Sequence, residues 1–156
     1  MVINNIMKKT ILALALTMVL AACSRNIQPV AQPTPAQVET AQIGTRQSVD
    51  GGAYTNITPP ELNRLLSYKD FTFVNVHIPF EGNIAKTDAF IPFDQIDQHL
   101  SQLPANKSAK IVLYCRSGRM SVITAKTLIK LGYRNVWNLN GGMLAWEQAG
   151  LALEGK

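Results

Sequence analysis

Two kinds of apolar pattern alternate along residues 54–153. One has apolar residues three and four positions apart, which is typical of an amphipathic helix, and the other is a short continuous apolar run, which is typical of a buried strand. Thr58, Pro59 and Glu61 favour a capped helix start. The pattern predicts strands at residues 71–76, 111–114 and 136–139, a loop at 82–87, and helices after Thr58 and at 93–103, 119–131 and 143–149. Strands that alternate with helices predict an α/β fold built on a parallel β-sheet.

Residues 1–22 have the pattern of a secretory signal peptide. Lys8 and Lys9 precede an apolar run at residues 11–22, which is shorter than the roughly 20 residues of a transmembrane helix. The segment LAAC at residues 20–23 resembles the lipobox of bacterial lipoproteins. This resemblance implies that Cys23 is the lipidated first residue of the mature protein. An ordinary signal peptide with a cysteine near its end is the alternative.

The lipobox resemblance also implies a location. A lipid anchor on Cys23 would hold the protein in the bacterial cell envelope, facing the periplasm, and several acyl chains on one residue would make the anchoring stable. Ser24 follows the lipidated position. In enteric-type bacteria a residue other than aspartate there favours the outer membrane, so the outer membrane is slightly favoured over the inner one.

Residues 23–53 are predicted to form a disordered tether between the membrane and the folded domain. The segment is rich in glutamine, proline, threonine and alanine and shows no apolar period. Such a composition buries too little apolar surface to fold, and its prolines favour an extended spacer. The alternative is that the last few residues, 53–57, pair with the domain as a strand. The folded domain is then expected at residues 54–153, a common domain size.

Charge and cysteine content narrow the chemistry. The net charge of +5 includes Lys8 and Lys9, and no basic tract accompanies it, so nucleic-acid binding has no support. The chain has two cysteines. If Cys23 is acylated, Cys115 remains as the single thiol, which indicates either a buried structural role or chemistry. One cysteine and two scattered histidines do not make a metal site, and no cofactor is implied.

Cys115 lies between a predicted strand and a predicted helix, where sites form in open parallel sheets. Arg116 and Arg119 flank Gly118, and the backbone N–H groups of such a short loop can form a nest for an anion. Positive charge and a helix N-terminus favour the reactive thiolate, and they would also hold an anionic substrate. The alternative is a buried structural cysteine at a strand end.

The two histidines are weaker candidates. His77 ends another predicted strand and could lie on the same rim of the sheet as Cys115, as a base for the thiol. His99 lies in a polar stretch and is expected to face solvent. A thiolate in a cationic nest requires neither.

Three segments in family order resemble rhodanese-like domains: the loop LYCRSG at residues 113–118, the helix end LGYRNV at 131–136, and LNGGMLAW at 139–146. The resemblance covers about residues 57–153. It implies an open parallel β-sheet with helices on both faces and a sulfurtransferase activity. In this family a cysteine takes sulfane sulfur from a small anionic donor such as thiosulfate and passes it to a thiol or cyanide. Cys115 carries over as the nucleophile, and the substrate cradle is expected at Arg116, Ser117, Gly118, Arg119 and Met120, with His77 near it.

The chain departs from the family pattern at two places. The sixth position of the loop, commonly arginine, is Met120, and the usual aspartate-valine-arginine segment is Asn75-Val76-His77. These departures indicate a divergent subgroup and leave the donor open. A phosphatase would need arginine at position 121, where this chain has serine. The remaining alternatives are a persulfide carrier without turnover, and a rhodanese module that binds an anion or a protein in the envelope.

Overall fold

The computed structural model describes residues 42–156. The chain forms three α-helices, one 3₁₀ helix and eight short strands within this range. In chain order they are β1 (Thr45–Val49), β2 (Gly52–Ile57), α1 (Pro59–Leu66), β3 (Thr72–Asn75), β4 (Asn83–Ile84), β5 (Ala89–Phe90), the 3₁₀ helix (Ile96–Gln102), β6 (Ile111–Tyr114), α2 (Arg119–Lys130), β7 (Val136–Leu139), α3 (Gly142–Gln148) and β8 (Leu153–Glu154).

Six strands form one sheet in the order β1-β2-β7-β6-β3-β5. Every pairing in it is parallel except that of β1 with β2, which is a hairpin. Strand β6 lies between β7 and β3, and its four residues are fully buried. A continuous apolar strand is what a position covered on both faces requires. The expected α/β fold with a mostly parallel sheet is confirmed.

Alternate residues of the central strands belong to two separate hydrophobic cores, because successive side chains point to opposite faces of the sheet. Ile111 and Leu113 pack with α2 and the 3₁₀ helix on one face. Val112 and Tyr114 pack with α1 and α3 on the other. Helices therefore cover both faces, as expected. No helix within residues 42–156 has the length and apolar character needed to cross a bilayer.

Helix α1 begins as the sequence indicated. The Thr58 hydroxyl accepts the backbone N–H of Glu61 at 3.4 Å, and Glu61 Oε2 accepts the Thr58 N–H at 2.8 Å. This reciprocal pair is a capping box. Glu61 Oε1 also accepts the backbone N–H of Gly44 at 2.9 Å, which ties the chain before β1 to the helix start.

Two local predictions were wrong. The helix expected at residues 93–103 is a 3₁₀ helix at Ile96–Gln102 whose winding is interrupted at His99, between Pro92 and Pro104. The loop expected at 82–87 contains strand β4, which pairs with β8 near the C-terminus. Both differences reflect pairing and packing with distant segments, which local periodicity does not record.

The tether expected at residues 23–53 is also corrected at its end. Thr45–Val49 form β1, an edge strand that pairs with β2 through a turn at Asp50 and Gly51. The edge of the sheet supplies hydrogen-bond partners that a polar segment lacks by itself. The signal peptide, the lipobox at Cys23 and the first part of the tether lie outside the described residues and stay predictions.

Candidate active site

Cys115 follows the central strand β6 at its carboxyl end and opens the loop to α2. We call residues 115–120 the cysteine loop. Cys115 is only 1% exposed. Gly118 has a positive φ of 89° and forms the N-cap position of α2 without a side-chain cap. Glycine adopts this left-handed conformation without strain, so the loop can turn sharply back over the sulfur.

Two donors of this loop and helix point at the thiol sulfur. The Gly118 N–H donates to Cys115 Sγ at 3.1 Å, and the Ser121 hydroxyl lies 3.5 Å from the same sulfur. Ser121 Oγ is also 3.1 Å from the Gly118 carbonyl oxygen, so its one hydrogen is shared between two acceptors. A backbone N–H aimed at sulfur stabilises negative charge on it, as an attacking thiolate requires. Sequence reasoning missed Ser121, which lies in the first turn of α2.

The start of α3 holds the other side of the cysteine loop. The Met143 N–H donates to the Cys115 carbonyl oxygen and the Leu144 N–H to that of Arg116, both at 2.9 Å. Gly142 makes this approach fit, because a Cβ there would lie 2.1 Å from the Cys115 carbonyl oxygen. Gly142, the first residue of α3, thus allows the helix start to pack against the cysteine loop.

The charged residues of the loop differ in their surroundings. Arg116 Nη1 donates to Glu81 Oε1 at 3.0 Å, and both side chains are partly exposed. Arg119 and Ser117 are exposed. Within residues 42–156, Arg119 has no carboxylate within 4.0 Å. Glu81 was not singled out from the sequence. Its spacing of four residues from His77 is the signal that could have drawn attention to it.

His77 and Met120 meet at the rim of the sheet. His77 is buried, and its Nδ1 lies 3.4 Å from Met120 Sδ. Its Nε2 lies 3.5 Å from Glu81 Oε2, close enough for an ion pair but without hydrogen-bond geometry. The structure shows no hydrogen bond between His77 and Cys115, so His77 lines the site beside Met120 and is not aligned as a base for the thiol.

The segment that carries His77 and Glu81 is fixed by buried polar groups. Asn75 accepts the His77 N–H through Oδ1 and donates through Nδ2 to the Gly82 carbonyl oxygen and to Asn83 Oδ1, each at 3.0 Å. The Tyr114 hydroxyl donates to the same Asn83 oxygen at 3.1 Å. Burial raises the pKa of Tyr114, which keeps this hydroxyl protonated as a donor.

His99, the remaining candidate from the sequence, lies outside the site. His99 lies on the 3₁₀ helix and contacts Gln102, so it is not brought to the cysteine loop. No group of three or more histidine, cysteine, aspartate or glutamate side chains within residues 42–156 is arranged to hold a metal ion. The described chemistry therefore centres on one thiol, a backbone donor and the charges around the loop.

Residues 66–149 match the family model of the rhodanese-like domain. Because this match spans more than half of the chain and the fold agrees, the chain belongs to the rhodanese-like domain family. Its named relatives include sulfurtransferases, and membership supports a general sulfurtransferase role, with one sulfur donor and one acceptor.

Three similar proteins illustrate the match. A sulfurtransferase of Allochromatium vinosum is 36% identical over 94 residues, which are 58% of this chain and 84% of that protein. A probable adenylyltransferase/sulfurtransferase of Mycobacterium tuberculosis is 33% identical over 97 residues, which are 59% of this chain but 24% of that longer protein. The crystal structure of a rhodanese-related protein from Thermoplasma volcanium has a TM-score of 0.55 at 26% identity, and the match covers 64% of this chain and 97% of that one.

Proposed function

We propose that this protein moves sulfane sulfur from an anionic donor to a thiol or cyanide acceptor through a persulfide on Cys115. The observation that carries the proposal is the Gly118 N–H aimed at Cys115 Sγ at 3.1 Å in a loop with two arginines. A preorganised donor and positive charge stabilise the thiolate and the negative charge that passes through the transition state. The family's sulfurtransferase members support the same reaction class.

The reaction takes place in two displacement steps. The Cys115 thiolate attacks the outer sulfur of a donor such as thiosulfate, a new S–S bond forms, and the old S–S bond breaks as sulfite leaves with the electron pair. An acceptor thiolate or cyanide then attacks the outer sulfur of the persulfide. The Cys115 thiolate leaves with its electron pair and the protein returns to its starting state. No external oxidant or reductant is consumed.

The second candidate function is that of a persulfide carrier, and the charge of the cysteine loop supports it. Met120 is neutral at the loop's sixth position, and Arg116 is already paired with Glu81. Both features reduce the positive charge available to a small dianion such as thiosulfate. A carrier would accept sulfur from one protein or thiol and release it to another, with slow turnover on thiosulfate and cyanide.

Intact mass tests the persulfide directly. The full chain is incubated with thiosulfate, and peptide mapping assigns the added mass, with Cys115→Ser as the control. The proposal predicts the gain of one sulfur on Cys115 in the wild-type chain and none at position 115 in the variant. If no sulfane donor adds sulfur to Cys115, the proposal is wrong. Sulfur gain without cyanide turnover would establish the carrier.

The location is a separate proposal. The LAAC segment at residues 20–23 supports acylation of Cys23 and a lipid anchor in the bacterial envelope, facing the periplasm and slightly favouring the outer membrane. Cys23→Ala is expected to move the protein from the membrane fraction to the soluble periplasmic fraction, whereas Cys115→Ser is expected to leave it membrane-bound. Continued membrane binding of a processed Cys23→Ala protein would refute the lipid anchor.

A further inference from the structure

Glu81 places a carboxylate between Arg116 and His77 beside the cysteine loop. Glu81 Oε1 accepts from Arg116 at 3.0 Å, and Glu81 Oε2 faces His77 Nε2 at 3.5 Å. Arg116 and Arg119 supply two positive charges to the cysteine loop, and Glu81 offsets one of them. Met120 adds none. The loop therefore presents the charge of about one cation, although its sequence contains two arginines.

The position of Glu81 is built into the fold. The next residue, Gly82, has φ of 103°, and its carbonyl oxygen accepts from the buried Asn75 side chain. A Cβ at Gly82 would come within 3.0 Å of the Glu154 carbonyl oxygen, so this turn packs closely against the C-terminal strand β8. The backbone beside Glu81 is thus held by these contacts, so the Glu81 carboxylate lies close to Arg116. This lowers the entropy cost of forming the ion pair.

We propose that Glu81 is a specificity-determining residue that selects sulfane donors by charge, favouring singly charged donors over dianions. The inference rests on the proposed function of Cys115. A carboxylate beside Arg116 repels an incoming anion while it neutralises the cation that would attract it, and a dianion experiences both effects twice as strongly as a monoanion. The same charge distribution suits a persulfide monoanion, R–S–S⁻, as the natural class of donor.

Two small donors separate charge from size. Thiosulfate is a dianion, and methanethiosulfonate replaces one of its oxygens by a methyl group and is a monoanion. With either donor the Cys115 thiolate takes the outer sulfur and the S–S bond breaks. Sulfite leaves in the first case and methanesulfinate in the second, each with the electron pair. The measured quantity is the ratio of kcat/KM for thiosulfate to kcat/KM for methanethiosulfonate, with cyanide as the acceptor.

Glu81→Gln is expected to raise this ratio by about threefold, a size typical of interactions between partly exposed charges. The thiosulfate rate should also become more sensitive to salt, since the loop then carries more uncompensated charge. Glu81→Asp keeps the charge and should retain a ratio near the wild-type value. Asp50→Asn removes one negative charge in the turn between β1 and β2, at the opposite end of the sheet, and should change nothing.

Alkylation of Cys115 tests the same charge effect without sulfur transfer. Iodoacetate is anionic and iodoacetamide is neutral, and peptide mapping of the full chain gives the rate of each at Cys115. Glu81→Gln should raise the ratio of the iodoacetate rate to the iodoacetamide rate, whereas Asp50→Asn should not. The ratio of the two alkylation rates reports the charge effect of Glu81 even if no sulfane donor forms a persulfide on Cys115.

The outcomes distinguish the two proposals. A raised donor ratio and a raised alkylation ratio in Glu81→Gln alone would support charge selection by Glu81. Unchanged ratios in a Glu81→Gln protein that still forms the persulfide would overturn the role of Glu81 and leave the sulfurtransferase proposal intact. A raised alkylation ratio without any persulfide would overturn the sulfurtransferase proposal and keep the charge effect. A Cys115 that reacts with none of these reagents would overturn both.

Discussion

The backbone N–H of Met143 donates to the carbonyl oxygen of Cys115 at 2.9 Å, which joins the first turn of α3 to the residue proposed as the nucleophile. The two residues are far apart in sequence and meet because β6 and β7 are parallel neighbours. Parallel neighbours end at the same edge of the sheet, so the segments that follow them lie side by side. The close approach depends on the absence of a side chain at Gly142.

Gly142→Ala is therefore expected to destabilise the protein and disable the cysteine loop. Gly142 has φ of 58°, and its added Cβ would lie 2.1 Å from the Cys115 carbonyl oxygen and 2.7 Å from the Arg116 carbonyl carbon. Backbone strain and overpacking together should cost about 2–4 kcal/mol of unfolding free energy. Denaturant unfolding and persulfide formation measure the two effects.

Gly132→Ala is the matched control for this prediction. Gly132 also has a positive φ, of 89°, but no atom lies within 4 Å of the position that its Cβ would take. Its substitution should cost only the backbone strain, about 1–2 kcal/mol, and should leave persulfide formation unchanged. Equal losses of activity in the two variants would show that the contact with the cysteine loop is unimportant.

Ser121→Ala is expected to slow persulfide formation several-fold while costing about 1 kcal/mol of stability, the usual value of one hydrogen bond. The variant removes the hydroxyl that lies 3.5 Å from Cys115 Sγ and 3.1 Å from the Gly118 carbonyl oxygen. Thr127→Ala is the control, because its hydroxyl bonds the Ile123 carbonyl oxygen in the same helix, away from the sulfur. The rate of persulfide formation in a single turnover should be lower in Ser121→Ala than in Thr127→Ala. Equal rates in the two variants would show that the Ser121 hydroxyl does not assist the sulfur.

The Glu61 capping box predicts a pH dependence of stability. Hydrogen bonds from the Thr58 and Gly44 backbone, opposed by partial burial, hold the pKa of Glu61 below its ordinary value. A lowered pKa in the folded state gives stability that is present above the unfolded pKa, about 4.3, and is lost as pH falls through the folded one. Glu61→Gln should therefore be less stable than wild type at pH 7, with a difference that shrinks below about pH 4.

Urea unfolding of wild type and Glu61→Gln between pH 7 and pH 3 checks this expectation. Asp97→Asn is a suitable control, because Asp97 is exposed on the 3₁₀ helix and makes no ion pair within the described residues. A stability difference between Glu61→Gln and wild type that stayed constant across this range would contradict a role for the Glu61 charge.

Asn75→Asp places a carboxyl group of almost the same size at a buried position and is expected to destabilise this protein. Asn75 is fully buried, and its amide donates to the Gly82 carbonyl oxygen and to Asn83 Oδ1. A carboxylate would lose both donations and face two acceptor oxygens, at a cost of about 2–4 kcal/mol. Asn106→Asp is the control, since exposed Asn106 uses only its oxygen, as an acceptor from the Ser108 N–H. Similar unfolding midpoints for the two variants would disprove this account.

Local sequence was informative where one segment decides its own structure. The capping residues of α1 placed its start at Thr58, and the continuous apolar run of β6 was found within its observed bounds. Cys115 and the arginines beside it were identified from the same short stretch. Their roles stay predictions, but the structure places Cys115, Gly118 and Arg116 in one loop at the carboxyl edge of the sheet.

Other features were invisible because distant segments create them. Strand β1 looked like a tether because its polar residues become a strand only through the edge of β2. The 3₁₀ helix carries helix-like apolar spacing but packs in a tighter winding. The contact of Glu81 with Arg116 forms only because Asn75 and β8 hold the turn that carries Glu81.

The sequence by itself determined the alternation of helices and strands, the family, and the thiol on which the proposed chemistry depends, because each follows from residues that are neighbours in the chain. Only the tertiary structure decided the electrostatic environment of that thiol. Glu81, His77 and Gly142 reach the cysteine loop because the parallel sheet ends its strands at one edge, and their contacts depend on distances that no linear pattern records. The Ser121 hydroxyl reaches Cys115 Sγ because α2 begins within the cysteine loop and turns its first residues towards the sulfur.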